Sequence, residues 1–167
     1  YLPLVEVQFR DYIHPGWQQL VDEIATLRWR SNGTFSCPMV IRVAYGDYLG
    51  GAGAIWHSEA AVGPIAHYPG LRIIVPSLGS DAVGLLREAL ISGDPVVMLE
   101  PKSLYEAKPS RSYYPGPEYR VPLGKARVAR QGTDLTIVTY GNLWPRTMVA
   151  AETLEKEYGI STEVIDL

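Results

Sequence analysis

Apolar positions recur along this chain with two different periods, and the two periods take turns. Leu4-Val5-Glu6-Val7-Gln8-Phe9 alternates at strand spacing and predicts a first strand over 4–9. Trp17, Leu20, Val21, Ile24 and Leu27 or Arg28 return at helical spacing and predict a helix over 15–29. Pro15 suits its first turn, where a missing N–H does no harm, and Ser31-Asn32-Gly33 ends it. A second strand, 39–44, runs into a glycine-rich loop from Gly46 to Gly53. A short helix capped by Ser58 is expected to end before Pro69-Gly70. A buried-type strand follows over 71–75, then a helix capped by Ser80 or Asp81 that reaches Ile91. Ser92-Gly93-Asp94 turns the chain into a strand over 95–99.

The stretch 100–122 changes character. It carries Pro101, Pro109, Pro115, Pro117 and Pro122 with Tyr105, Tyr113, Tyr114 and Tyr119, and reads as an extended linker ordered by its aromatics. Beyond it, 125–130 and 135–140 look like strands joined through Gln131-Gly132. Pro145 opens a helix that Gly159 stops, and a last strand covers 162–167. Strands alternating with helices predict an α/β fold with a mainly parallel sheet and helices on both faces. The expected division is 1–100, a linker at 101–122, and the start of a second α/β domain at 123–167. Both ends read as interior to a longer chain, because each runs straight into or out of a strand that needs neighbours.

Composition narrows the class without naming a reaction. The 167 residues are 47% hydrophobic and 20% charged, as in a globular α/β protein. The net charge of −3 gives no electrostatic reason for nucleic acid or an anionic membrane as partner. No apolar run approaches the roughly 18 residues of a membrane span. Cys37 is the single cysteine, so no internal disulfide forms and a reducing compartment is the default.

The segment most suggestive of chemistry is Gly50-Gly51-Ala52-Gly53-Ala54-Ile55-Trp56-His57-Ser58-Glu59. It lies between a strand and a helix, where open α/β sheets place ligands. It departs from a G-x-G-x-x-G dinucleotide fingerprint, following its strand by several residues with no ribose-binding acid in view. His57, at the start of the expected helix, suits an acid/base or oxyanion donor; a helix-end His that only caps or packs is the bland alternative. His14 before Pro15, and His67 beside Tyr68, read as structural. Asp11-Tyr12 could reach a ligand at a strand's carboxyl end or serve as a cap with a packed aromatic. The three histidines lack metal-ligand spacing, and no P-loop, zinc motif or nucleophile elbow occurs. Residue chemistry alone therefore reaches a candidate ligand loop at 46–58 and no reaction.

An ordered set of short segments goes further. These are Glu6-Val7-Gln8-Phe9-Arg10-Asp11-Tyr12-Ile13, Ala54-Ile55-Trp56-His57-Ser58, Tyr68-Pro69-Gly70-Leu71-Arg72-Ile73-Ile74-Val75-Pro76, Asp94-Pro95-Val96-Val97-Met98-Leu99-Glu100-Pro101-Lys102 and Glu163-Val164-Ile165-Asp166-Leu167. Together, over nearly the whole chain, they resemble the β subunit of the first component of thiamine-diphosphate-dependent 2-oxo acid dehydrogenases, within the transketolase-like superfamily. The third segment alone would indicate only the superfamily. The first segment and Glu100-Pro101-Lys102 look more like branched-chain enzymes than typical animal pyruvate dehydrogenases.

The resemblance implies a pyrimidine-binding domain followed by the start of a C-terminal transketolase-like domain. It implies thiamine diphosphate bound between subunits, with the diphosphate and Mg²⁺ held by an α subunit in an α2β2 heterotetramer, and a lipoyl-bearing second component as acceptor. Gln8 and Tyr12 match residues lining the cofactor pocket, and His57 matches an active-site histidine near the reacting carbon. The glutamate that activates the pyrimidine is expected N-terminal to the matching region. Some relatives bind K⁺; the matching positions are Pro38, Val40, Ile41, Ala89, Ser92 and Asp94, with Ser92 replacing an acid. His14 and Trp17 stand where Phe is expected, which bears on the acyl pocket. The compartment implied is the cytoplasm of a bacterium or archaeon, or the mitochondrial matrix of a eukaryote. Pyruvate or acetoin dehydrogenase is the neighbouring alternative. A sugar-phosphate enzyme of the same fold would want basic clamps, yet the loop before His57 has Asp47 and no Lys or Arg. A degenerate, assembly-only subunit is the non-enzymatic alternative.

Overall fold

The computed structural model describes residues 1–46, 52–60 and 62–167. Its first layer is a four-stranded sheet in the order β1-β2-β4-β3, with β1 at Leu4–Val7, β2 at Met39–Tyr45, β3 at Arg72–Ile74 and β4 at Pro95–Pro101. Every pairing is parallel: Leu4 lies opposite Val40, Met39 opposite Pro95, and Arg72 opposite Val96. Parallel strands need crossovers that lay helices on the sheet, so the central strands are covered twice. All seven residues of β4 are buried accordingly.

Strand alternation divides the core. Ile41, Val43 and Tyr45, with Val97 and Leu99, face one side and meet Ile13, Leu20, Val21 and Ile65. Val40, Val96, Met98 and Ile74 face the other and meet Ala82, Leu85, Leu86, Ala89 and Leu90 of α3 (Gly79–Ile91). Several of these side chains are wholly excluded from solvent, and each contributes about 1.5–3 kcal/mol of burial.

The expected helix over 15–29 is replaced by a longer, irregular run. A 3₁₀ helix covers Arg10–Gly16, a π-helical turn Gln19–Ile24, and a short α-helix, α1, Leu27–Arg30. Helical turns begin ahead of Pro15, which therefore sits inside the run. With no N–H to give and a ring that crowds the preceding turn, it suits the tighter 3₁₀ winding. The π turn is closed by the Ala25 N–H donating to the Leu20 carbonyl at 3.0 Å. Ser58 is not a helix cap: α2 spans Val62–Ala66. Nor does Ser80 cap α3; the Asp81 carboxylate accepts the Leu78 N–H at 3.1 Å, one turn ahead of the position expected. Glu100 and Pro101, expected in the linker, instead complete β4, paired with Ala44 and Tyr45 of β2. The stretch 102–122 is irregular apart from 3₁₀ turns at Lys102–Leu104 and Lys108–Ser110.

The second sheet has the order β5-β7-β6, from Arg127–Arg130, Thr162–Asp166 and Leu135–Thr139. The strands β5 and β6, neighbours in sequence, do not pair; β7 lies between them, antiparallel to β5 and parallel to β6. Helix α4, Trp144–Tyr158, makes the β6-to-β7 crossover, with Pro145 in its first turn and Gly159 ending it at φ 66°.

The two sheets meet at a buried polar joint. The Ser77 hydroxyl donates to Asp166 Oδ1 at 2.7 Å and accepts the Gly141 N–H at 2.9 Å. Arg127 holds the other Asp166 oxygen at 2.7 Å. Gly141 has φ 57°, and a Cβ there would lie 2.9 Å from Val75 Cγ1, so both backbone and space call for glycine. Asp81 lies beside the joint, its oxygen 3.7 Å from Arg127. Burial pushes its carboxyl above the ordinary range, against the pull of Arg127.

Two outcomes are expected for the full-length protein. Ser77→Ala leaves Asp166 Oδ1 and the Gly141 N–H without their partner and lowers unfolding free energy by about 1–3 kcal/mol, measured by chemical denaturation; an unchanged midpoint would show the joint carries nothing. A carboxyl whose folded pKa is raised favours the fold when protonated. Its contribution is full below the ordinary carboxyl value and is lost as pH rises through the folded value. Asp81→Asn keeps an acceptor for Leu78, so it should gain thermal stability relative to the parent as pH is raised from 4 to 7.

Candidate functional site

Parallel strands deliver their carboxyl ends to one edge of the sheet, where loops converge on ligands. At that edge β1 passes into Gln8-Phe9 and the 3₁₀ helix Arg10–Gly16, while β4 passes into Lys102. The chain after β2 returns through the 3₁₀ turn Ala54–Trp56 to His57. Of the glycine-rich loop expected at 46–53, residues 47–51 lie outside the described residues.

Tyr12 and His57 meet here. The Tyr12 hydroxyl is 2.8 Å from His57 Nε2, and His57 Nδ1 is 2.5 Å from the Gly53 carbonyl. A carbonyl oxygen only accepts, so Nδ1 carries a proton, and in the neutral ring Nε2 accepts from Tyr12. Phe9 is buried beneath the pair, with its ring edge-on to His57 at 4.4 Å and to Tyr12 at 5.7 Å. Lys102 Nζ lies over the Phe9 ring, 4.3 Å from its centre. Tyr12 remains 46% exposed, so the cluster has a buried floor and an open face. Ser58 Oγ and Asp11 Oδ1 are buried nearby in sequence with no hydrogen-bond partner among the described residues.

Gln8 lies next door rather than in that contact. It is exposed and lines a cleft of about 230 Å³ together with Glu6, Phe9, Arg42, Lys102 and Tyr105. Phe9 lines Gln8's cleft and also meets both rings of the Tyr12–His57 pair, so the two lie side by side. The floor of the cleft is polar. Arg42 grips the buried Glu100 carboxylate with Nε at 2.6 Å and Nη2 at 2.9 Å, and the Tyr105 hydroxyl donates to Glu100 at 2.7 Å. The Glu100 hydrogen bond raises the Arg42 pKa, and burial, followed by that carboxylate, holds the Tyr105 phenol well above its usual value. Both groups keep their protons at neutral pH. A larger cavity of about 550 Å³ lies beside α3, with Leu78, Ala82, Leu86 and Met98 among its lining. It is mainly apolar and holds none of the aromatic cluster.

The other sequence candidates lie elsewhere or act structurally. His14 approaches Glu59 at 3.3 Å. Trp17 packs edge-on to Tyr68 at 5.6 Å and lies 5.6 Å from the Arg10 guanidinium; His67 also meets Tyr68 edge-on. Pro38, Val40, Ile41, Ala89, Ser92 and Asp94 belong to the opposite, amino end of the sheet, at the start of β2, the end of α3 and the turn into β4. The Ser92 hydroxyl bonds the Ala89 carbonyl at 2.9 Å, and Arg28 and Arg72 hold the Asp94 carboxylate at 3.0 and 2.7 Å. No group of three or more His, Cys, Asp or Glu able to hold a metal occurs among the described residues. No described helix is long and apolar enough to cross a membrane. Sequence reading passed over Phe9, Lys102, Arg10 and Glu59. Phe9 counted as the last apolar position of a strand and as one member of a resembling segment, with no site role, and ion pairs between residues almost fifty positions apart leave no spacing signal.

Comparison with known proteins places this geometry in context. Residues 1–108 match the family model of the transketolase pyrimidine-binding domain, and residues 124–167 that of the transketolase C-terminal domain. The chain is 43% identical over 165 residues to the 2-oxoisovalerate dehydrogenase subunit beta of Bacillus subtilis, covering 99% of this chain and 49% of that protein. It is 43% identical over 166 residues to the pyruvate dehydrogenase E1 component subunit beta of Acholeplasma laidlawii, with the same shares covered. It is 39% identical to the mitochondrial 2-oxoisovalerate dehydrogenase subunit beta of Dictyostelium discoideum, covering 99% of this chain and 44% of that one. The chain thus spans about half the length of the curated relatives it matches. A solved split-gene transketolase, an inactive β4 tetramer, superposes with a TM-score of 0.72 at 20% identity, covering 99% of this chain and 48% of that chain, and shows the shared fold. The likeness expected from five short segments is borne out.

The hydrogen-bond geometry predicts that ¹⁵N NMR of histidine-labelled full-length protein finds neutral His57 as the Nδ1–H tautomer. Tyr12→Phe removes the donor to Nε2, so the Nε2–H tautomer should become populated. An unchanged tautomer in that variant would show that Gly53 alone sets it.

Proposed function

The chain belongs to the transketolase family, carrying sequence of its pyrimidine-binding and C-terminal domains, and from that membership we propose that it is part of the β subunit of a 2-oxo acid dehydrogenase. The reaction is oxidative decarboxylation of a branched-chain 2-oxo acid with transfer of the acyl group to a lipoyl arm. The observation that carries this reading is the Tyr12–His57 hydrogen bond over buried Phe9, at the carboxyl edge of a parallel sheet. Pyruvate is the second substrate reading. It is favoured by the equal 43% identity to a branched-chain and a pyruvate β subunit.

The residues present fit the pyrimidine end of thiamine diphosphate. A flat heteroaromatic ring with donor and acceptor nitrogens calls for aromatic walls and an amide. Phe9 and Tyr12 supply the first and the exposed Gln8 supplies the second. The loop 46–53 contains no Lys or Arg, which accords with the diphosphate and Mg²⁺ being held by an α-subunit partner. When bound, thiamine diphosphate supplies the electron sink that lets a 2-oxo acid lose carbon dioxide. A potassium ion near Pro38, Val40, Ile41, Ala89, Ser92 and Asp94 belongs to the same proposal. With Asp94 already held by two arginines, carbonyl and hydroxyl oxygens would do most of the binding.

This chain's own contribution is proton handling and orientation. With Tyr12 and Gly53 both in place the neutral ring keeps its proton on Nδ1, so exchange happens at Nε2. When Nε2 is protonated, the Tyr12 hydroxyl, which accepts as readily as it donates, turns a lone pair to the new N–H. The imidazolium then has a donor to share with a substrate oxygen on which negative charge develops. Phe9 below excludes water from one side of the ring.

The test uses the complete chain purified with its α partner. Reduction of an artificial acceptor is followed with pyruvate and with 3-methyl-2-oxobutanoate, with and without thiamine diphosphate and Mg²⁺. Cofactor-dependent turnover, faster with the branched acid, is expected. His57→Ala should lower lipoyl-linked turnover about a hundredfold or more with little change in thermal stability. Turnover of sugar phosphates in place of either acid would overturn the reading.

A further inference from the structure

The Tyr12–His57 hydrogen bond joins two side chains that reach it from elements far apart in sequence, and Tyr12 is nearly half open to solvent. A single exposed hydrogen bond contributes little net stability and cannot by itself fix the two elements. A stiffer set of contacts lies directly beside it. Arg10, 5% exposed, donates a short hydrogen bond from Nη1 to Glu59. Its Nη1 is also 3.0 Å from His14 Nε2, and His14 in turn is 3.3 Å from the same Glu59 oxygen. The Glu59 N–H donates to Asp11 Oδ2 at 3.4 Å, and the Glu59 carbonyl accepts the Gly46 N–H at 3.3 Å. Glu59 therefore ties three things together: the end of β2, the 3₁₀ helix and the loop bearing His57.

The lacing has a direction. Along the helix the contacts come from Arg10 and Asp11, then Tyr12; along the facing segment they fall on Glu59, then His57. The two segments run past each other in opposite senses, and a one-residue slip at Arg10–Glu59 would carry Tyr12 off His57. The Arg10 charge is buried and its Nε has no partner among the described residues. Losing the Glu59 carboxylate would leave that charge without its anion, which makes the pairing strongly preferred over a slipped one. His14 stands where Phe is expected from the family resemblance, and here it joins the charged set instead of presenting an apolar face.

We infer that Glu59, acting through the buried Arg10, is a positioning residue that sets the register between Tyr12 and His57. The inference rests on the functional reading above for its kinetic consequence but not for its structural one. Glu59 touches no reacting atom in this role; it fixes where the imidazole stands.

The experiment compares Glu59→Ala, Glu59→Gln, Arg10→Met and the Arg10→Met/Glu59→Ala double variant in the full-length protein with its α partner. The Glu59 side chain is 44% exposed and its backbone contacts survive substitution, so the Glu59 variants keep the question open should Arg10→Met fail to fold. Two readouts are taken: the His57 tautomer by ¹⁵N NMR, and kcat and KM for the 2-oxo acid. Glu59→Ala should give a mixed tautomer and a kcat lower by about tenfold to a hundredfold, in keeping with a misplaced group, at nearly unchanged KM. Glu59→Gln, which still accepts from Arg10, should recover part of both. The double variant should be no worse than the worse single variant, because the two residues act as one unit. Parent-like tautomer and kcat in Glu59→Ala, or additive losses in the double variant, would overturn the inference. If no 2-oxo acid is turned over even by the parent while the tautomer still changes in Glu59→Ala, the functional reading falls and the positioning role stands.

Discussion

Two-sided burial of β2 and β4 is the constraint from which the rest of this molecule follows. A parallel sheet cannot be closed by tight turns, so each strand must be followed by a crossover that lies on one face or the other. The sequence meets that demand with side chains apolar on both faces of β4 and with helical segments from both directions. The consequence is positional. With all strands pointing one way, the chain leaves β1 and β4 at a single edge, and Gln8, Phe9 and Lys102 arrive there without further design. A site built this way inherits its stiffness from the core, which suits a geometry held by hydrogen bonds.

Glu100 is the exception within the buried strand. Its charge is matched by the planar fork of Arg42 and by the Tyr105 hydroxyl, so both oxygens are satisfied in good geometry. Such a triad adds little net stability over apolar residues of the same volume, but it becomes costly when one partner is lost. Its effect here is to specify how the 102–105 turn leaves the sheet. That turn brings Lys102 over Phe9, so the buried triad and the aromatic cluster share one piece of backbone.

Much of the architecture was legible in the chain because strand and helix periods are strong signals. The parallel α/β character, the strands expected at 39–44 and 95–99, and the helix that Pro145 opens and Gly159 closes all follow from spacing and terminal chemistry, though β4 runs on through Glu100 and Pro101 where a linker is expected. Pattern reading failed where tertiary contact decides. Pro15 could be placed in a first turn only if the helix began there, and nothing local shows that turns start at Arg10. Nor does any local feature say that β7 lies between β5 and β6, since pairing order is set by where α4 crosses. In the site, His57 and Tyr12 were visible as residue types and as members of a family pattern. Their meeting, and the ion pair beside it, belong to a fold that brings residues 10–14 against 57–59.

The joint at Ser77, Gly141, Arg127 and Asp166 bears on how the two sheets can move. Apolar faces slide over one another at modest expense, since one greasy neighbour substitutes for another. Directional bonds with a glycine packed between them allow no such substitution: rotating one sheet by a few degrees would pull Ser77 from Asp166 and drive Gly141 toward Val75. The contact is a latch rather than a bearing, and displacement of the second sheet is resisted first at Ser77, three residues beyond the end of β3.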